Sequence, residues 1–159
     1  MKKISFLILL LCSVLLVTAQ TKIITGHPDF QVKVTRCVAS GTTVVLDMLF
    51  TNVSETDVEE WGIYSGFYGD FTTVYDSEGN SYDNYSGNYL SFKVGNSNYT
   101  NAFRNQKMLS DVPVKVSLKI MGVPETVESL TRVDLVMYIP AFDIGGKTPV
   151  KIKNIPISR

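Results

Sequence analysis

Cysteine is nearly missing from this 159-residue sequence, which holds only Cys12 and Cys37. Cys12 lies in an N-terminal segment expected to be removed, so one thiol remains and no internal disulfide can form. Stability must then come from packing. Histidine is scarcer still, with His27 alone. A Ser-His-Asp or Cys-His arrangement needs a base held within hydrogen-bond reach of its nucleophile. His27 stands beside Pro28 close to the expected mature terminus, where chains fray, and is expected to be a solvated residue. One histidine and one cysteine cannot complete a tetrahedral zinc site without carboxylates, so neither a metal nor a cofactor is expected. An excess of one charge is lacking too, with fifteen basic against fifteen acidic residues. Without Lys2 and Lys3 the balance is thirteen to fifteen, which provides no net basic field for nucleic acid or anionic lipid. No internal repeat, low-complexity tract or Pro/Ser-rich linker divides the chain, and a single domain is expected.

One long apolar run is present. Met1-Lys2-Lys3 is followed by Ile4 to Val17, broken only by Ser13, and then by Val17-Thr18-Ala19. A short basic start, an apolar stretch and small residues make the pattern of a signal peptide, cleaved near Ala19. The run is shorter than the roughly 18 to 20 residues needed to cross a bilayer, and no second run follows, so no stable membrane span is expected. Leu9-Leu10-Leu11 ahead of Cys12 is unsuited to lipoprotein processing. Residues 20–159 are expected to form the domain, secreted or periplasmic, and long enough to bury about two-thirds of its surface.

The rest of the sequence carries a period of two. Val32, Val34 and Val38 alternate with Lys33 and Thr35 over Gln31 to Ala39, Ser40-Gly41 turns the chain, and Val44, Leu46, Met48 and Phe50 answer on one face of Thr42 to Thr51. Asp47 falls on the opposite parity, where water reaches it. Cys37 also falls on the parity opposite Val32 and Val34, on a face expected to be only partly covered. Asn52 to Glu60 is polar and acidic and reads as an exposed connection. Phe71 to Asp76 reads as a strand, Asp76-Ser77-Glu78-Gly79-Asn80 as a tight turn with Gly79 left-handed, and Tyr82 as the start of the returning strand. Leu90, Phe92 and Val94 alternate again, Asn98 to Leu109 has room for a short helical turn, and Val114 to Ile120 is the clearest strand, with Pro113 at its start. Val133, Leu135, Met137 and Ile139 give the next apolar face, and Asp143 to Pro149 turns into a last strand with Val150 and Ile152. Seven to nine short strands without a long helix predict an all-β, antiparallel β-sandwich of immunoglobulin-like type, with a closed barrel as the alternative.

Several of these segments together resemble one family. Leu46-Asp47-Met48-Leu49-Phe50-Thr51-Asn52, the turn Asp76 to Asn80 followed by Tyr82, Leu109-Ser110-Asp111-Val112-Pro113-Val114-Lys115-Val116 and Lys153-Asn154-Ile155-Pro156-Ile157 are similar to a group of bacterial exported immunoglobulin-like domains of unknown function, some titled after a telomeric-repeat-binding factor. The resemblance implies an extracytoplasmic, non-enzymatic protein and offers no functional residue to carry over.

Two clusters invite chemistry. Asp76, Glu78, Asn80 and Asp83 loosely match a calcium loop, but Gly79 stands at the fourth position instead of the sixth and Gly87 where a bidentate Glu is required, so a β-turn with solvated carboxylates is expected. The aromatics are the stronger feature, since twelve of seventeen lie between Trp61 and Phe103. Tyrosine pairs an apolar face with a polar tip. Within the cluster, Asp83-Asn84-Tyr85-Ser86-Gly87-Asn88-Tyr89 has the Tyr, Ser, Gly and Asn composition of adaptable recognition loops. Tyr82, Asn84, Tyr85, Asn88 and Tyr89 are therefore the expected ligand-binding residues, with no catalytic residue among them. A protein partner in the cell envelope is the first expectation, a glycan bound by the tyrosines the second, and a hydrolase a distant third.

Overall fold

The computed structural model describes residues 20–67, 69–142 and 147–159, so the expected signal peptide, Tyr68 and the Asp143 to Gly146 part of the last turn lie outside the described residues. Thirteen strands and no helix occur among them. In chain order they are β1 (Lys22–Thr25), β2 (Phe30–Ser40), β3 (Thr43–Asn52), β4 (Val58–Tyr64), β5 (Gly66–Phe67), β6 (Asp70–Phe71), β7 (Thr73–Asp76), β8 (Ser81–Tyr82), β9 (Leu90–Val94), β10 (Ala102–Met108), β11 (Val114–Met121), β12 (Ser129–Tyr138) and β13 (Val150–Pro156). The seven to nine strands expected are exceeded because the additional ones are short, or bulged, or rich in charge.

The strands form two open antiparallel sheets and not a closed barrel. One runs β2-β3-β11-β9, and the other runs β1-β13-β12-β4-β10 with β7 and β8 alongside. The alternation read from the sequence selects which side chains meet. Val44, Leu46, Met48 and Phe50 of β3, and Val116, Leu118 and Ile120 of β11, face inward with Trp61, Ile63, Val74, Val133, Met137 and Ile152 of the other sheet. Fully burying an aliphatic or aromatic side chain contributes roughly 1.5 to 3 kcal/mol. The edge-on contact of Phe50 with Trp61, ring centroids 6.0 Å apart, ties the two sheets together.

Four expectations fail in detail. Val58–Tyr64 is a strand, although it begins inside the segment read as an exposed connection, and Ala102–Met108 is a strand where a helical turn was expected. These two pair with each other through a register that shifts twice, between Phe103 and Gln106 and between Gln106 and Met108, which erases the alternation from the sequence. The N-terminal segment is held, since β1 pairs with β13 along its length. Cys37 is not on a half-covered face but buried, because a bulge between Val34 and Arg36 inserts one residue and turns the rest of β2 over.

One interruption positions the candidate site. β4 and β7 lie along the same side of β12, with Tyr64 opposite Val136 and Thr73 opposite Asp134. Between them the chain leaves the sheet as the β5–β6 hairpin. Thr72 closes the gap, its hydroxyl donating to the Tyr64 carbonyl at 2.6 Å and accepting the Val136 amide at 2.9 Å. A side chain stands in for a missing rung of the ladder.

Candidate functional site

The five tyrosine and asparagine residues singled out above fall into three environments. Tyr82 is buried at 4 % exposure, its hydroxyl donating to Asp76 Oδ2 at 2.7 Å. Its phenol is held above its ordinary pKa, first by burial and then by the adjacent Asp76 carboxylate. Tyr89 packs edge-on against Tyr82 at 6.1 Å and is half-buried. Gly87 permits this, since a Cβ there would lie 2.6 Å from the Tyr89 ring. These two tyrosines are joined to the core rather than offered to solvent. Asn88 is exposed.

Asn84 and Tyr85 form a different arrangement. The Asn84 amide donates to the Leu90 carbonyl at 2.9 Å and accepts the Leu90 amide at 2.7 Å, copying a strand rung across the loop. Asp83 Oδ1 accepts the amides of Tyr85 and Ser86 and the Ser86 hydroxyl at 2.8 to 3.0 Å. The Ser86 amide, followed by its hydroxyl, holds the Asp83 carboxyl below its ordinary pKa. A loop fixed this way presents Tyr85, which is 81 % exposed and rests edge-on against Phe71 at 5.4 Å.

Phe71 in turn forms one wall of a cleft of about 450 Å³. The β12–β13 ladder ends at Leu135 opposite Val150, but the register carries on past the cleft, with the Thr148 amide donating to the Met137 carbonyl at 3.1 Å and Tyr138 opposite Lys147. Leu135, Val136, Met137, Thr148 and Pro149 line it, and Lys147 forms an ion pair with Asp70 at its border. The buried Thr148 hydroxyl has no hydrogen-bond partner among the described residues. Apolar walls with a few polar groups at this volume suit a small ligand or an inserted side chain. Sequence reasoning did not reach Asp70, Lys147 or Thr148, because the cleft is assembled from three segments far apart in the chain, which leaves no periodic trace.

The turn read as a possible cation loop is differently built. Asp76 is buried, not solvated, and both its oxygens are occupied: Oδ1 accepts the Glu78 and Asn80 amides, and Oδ2 accepts the Asn80 side chain and Tyr82 hydroxyl, all within 2.7 to 2.9 Å. Burial pushes its pKa up, but the Asn80 and Tyr82 bonds outweigh it, so the carboxyl titrates below its usual range. Gly79 is left-handed at φ 89°, as the turn demands. Among the described residues no three His, Cys, Asp or Glu side chains are grouped to hold a metal ion.

His27 is half-buried rather than freely solvated. Its ring stacks on Phe142 at 4.5 Å, and its Nδ1 accepts the Asp29 amide at 3.2 Å. Asp47, expected to face water, is 3 % exposed. Its Oδ2 accepts two bonds from the Arg36 guanidinium at 2.8 and 2.9 Å and lies 3.6 Å from Lys115 Nζ, while Oδ1 accepts the Ser117 hydroxyl at 2.6 Å. No helix of the described residues is long and apolar enough to cross a membrane. Comparisons of the chain with family models, with curated proteins and with solved structures returned no match.

Proposed function

We propose that this chain is an exported, non-enzymatic binding module of the bacterial cell envelope, of the immunoglobulin-like group its segments resemble, and that it contacts a partner protein through Tyr85, Phe71 and the neighbouring cleft. The observation that carries this reading is the 81 % exposure of Tyr85 on a loop fastened by Asp83 and Asn84. A large side chain held in place loses little conformational freedom on binding, and tyrosines in such positions dominate interface energetics. Export rests on the N-terminal pattern ending at Ala19. The non-enzymatic reading is supported by His27, whose ring contacts are Phe142 and Asp29 rather than a nucleophile.

Two measurements test it. Expression of the full chain in a bacterium, followed by fractionation and mass determination, is expected to give an extracytoplasmic product beginning at Gln20; an unprocessed product retained in the cytoplasm rejects export. A photocrosslinker at position 85 is expected to capture one envelope protein, with capture lost in Phe71→Ala and absent when the crosslinker is placed at Lys33 instead. Equal capture from both sites rejects the ridge as the contact. A glycan bound at the same place is the second reading, favoured by the cleft beside an exposed aromatic ring. Retention on a neutral polysaccharide, abolished by Tyr85→Ala, would select it over the protein partner.

A further inference from the structure

Net charge conceals how the charges are placed. On the outer surface of the β2-β3-β11-β9 sheet the register sets Lys33 opposite Leu49 and Leu49 opposite Lys115; Arg36 opposite Asp47, Asp47 opposite Ser117 and Ser117 opposite Lys93; Val45 opposite Lys119 and Lys119 opposite Ser91. Five of the thirteen basic residues that follow Ala19 stand on this face, and one of the fifteen acidic ones. That one is Asp47, sunk to 3 % exposure beneath Arg36 and Lys115. Its charge is spent inward, on Arg36, Lys115 and Ser117. Lys33 and Lys93 have no ion pair among the described residues, and Lys119 Nζ lies 4.7 Å from the centre of the Tyr99 ring.

We propose that this sheet face binds an extended anionic polysaccharide, laid across Lys33, Arg36, Lys93, Lys115 and Lys119. The site is separate from the Tyr85 ridge and stands or falls independently of it. Outward positions recur about every 7 Å along a strand and strands lie about 4.8 Å apart. The cations therefore form a grid with spacings of roughly 10 Å, suited to a chain bearing an anionic group at intervals rather than to a single small anion. Reading of a nucleic-acid groove needs a helix or ribbon that projects, and the face of a four-stranded sheet supplies neither. The middle of the face is also unsuited to entering a bilayer, since its apolar side chains Val45 and Leu49 are half-buried between the cations. The hydroxyls of Thr43 and Thr51 and the ring of Tyr99 complete a surface matched to sugars. The opposite sheet also carries Lys22, Arg132, Lys151 and Lys153, but there the carboxylate of Asp134 stays at the surface, paired with Arg132 at 2.7 Å, and Ile24 stands 42 % exposed among them. That face is the less favourable for a polyanion.

The test uses the processed chain with oligomers of alginate and of heparin, neutral dextran as the uncharged probe, oligothymidylate, and vesicles containing phosphatidylglycerol. Binding to at least one acidic oligomer and not to dextran is expected, weakening on the order of tenfold between about 50 and 200 mM salt, as about two released counterions imply. Lys33→Glu/Lys93→Glu/Lys119→Glu is expected to lose at least tenfold, and Lys151→Glu/Lys153→Glu less than twofold. Should the triple variant lose its native dichroism spectrum, Lys33→Gln/Lys93→Gln replaces it, with a loss of about threefold expected. Absence of acidic-glycan binding overturns the proposal. So does an equal loss from the two faces, and so does binding confined to oligothymidylate or to vesicles.

Discussion

Asp76 holds its turn by accepting four hydrogen bonds from three residues while shielded from water. Removing it leaves two amides, an amide side chain and a phenol to find other acceptors, and hydrogen bonds to a charged group are worth about 1.5 to 3 kcal/mol each before any compensation by water. Asp76→Ala is expected to lower the unfolding free energy in urea at pH 7 by about 2 to 3 kcal/mol, and Tyr82→Phe by about 1 kcal/mol, since Asn80 still serves the carboxylate. Equal stability of Asp76→Ala and the parent would show that the turn owes nothing to this side chain. At this scale the sequence disclosed residue types better than surroundings. The turn and its left-handed Gly79 were legible, because local backbone geometry dictates them. Burial of Asp47 and Asp76 was not, because it depends on partners 11 and 70 residues away for Asp47 and on the covering side chains for Asp76. Among the five expected ligand residues Tyr82 shows the same difficulty, since the polar tip that makes tyrosine a recognition residue also lets it close a buried network, and Tyr89 is drawn in beside it by ring packing.

The strand interruption at Ser65 to Thr72 is the element-level feature on which the candidate cleft depends. Thr72 is fully buried, and its hydroxyl serves both Tyr64 and Val136. Replacing it by the near-isosteric valine leaves a buried carbonyl and a buried amide without that partner, at a cost of about 2 kcal/mol, whereas serine keeps both bonds. Thr72→Val is therefore expected to lower the urea midpoint and to speed amide hydrogen exchange at Val136, with Thr72→Ser close to the parent on both counts. Unchanged exchange at Val136 in Thr72→Val would mean that the hydroxyl is not the rung it is taken to be. Strands with clean alternation, β3, β9, β11 and β12, were legible because each pairs in an unbroken inward register or nearly so. β4 and β10 were not. Glu59 and Glu60 precede Trp61, and left-handed Asn105 at φ 51° breaks β10, so neither keeps the period of two. The bulge in β2 hid Cys37 for the same reason.

For the molecule as a whole, the acid and alkaline limits of stability follow from groups on different sheets. Asp47 and Asp76 both titrate below the ordinary carboxylate range: burial raises each, but Ser117, Lys115 and Arg36 outweigh it at Asp47, and Asn80 and Tyr82 at Asp76. A carboxylate with a folded pKa below its unfolded value of about 3.9 stabilises fully above that value and ceases to as pH falls through the folded pKa. At the other end, Cys37 is pushed up to about 12, first by burial and then by the Asp47 charge. A group raised in this way favours folding below its unfolded pKa of 9.0, and that contribution is lost as pH climbs towards about 12. Urea midpoints are thus expected to be level from about pH 5 to 8, to fall below about pH 4, and to fall again above about pH 9. The two limbs are separable by substitution. Asp47→Asn/Asp76→Asn is expected to start from a lower plateau and decline less steeply in acid, while Cys37→Ala leaves the acid limb alone and moves the onset of the alkaline one from about pH 9 to about pH 10, where the raised Tyr82 phenol continues it. An acid limb as steep in the double variant as in the parent would place the controlling protons elsewhere and overturn the claim that two buried carboxylates, one in each sheet, set the acid limit within which the sandwich holds.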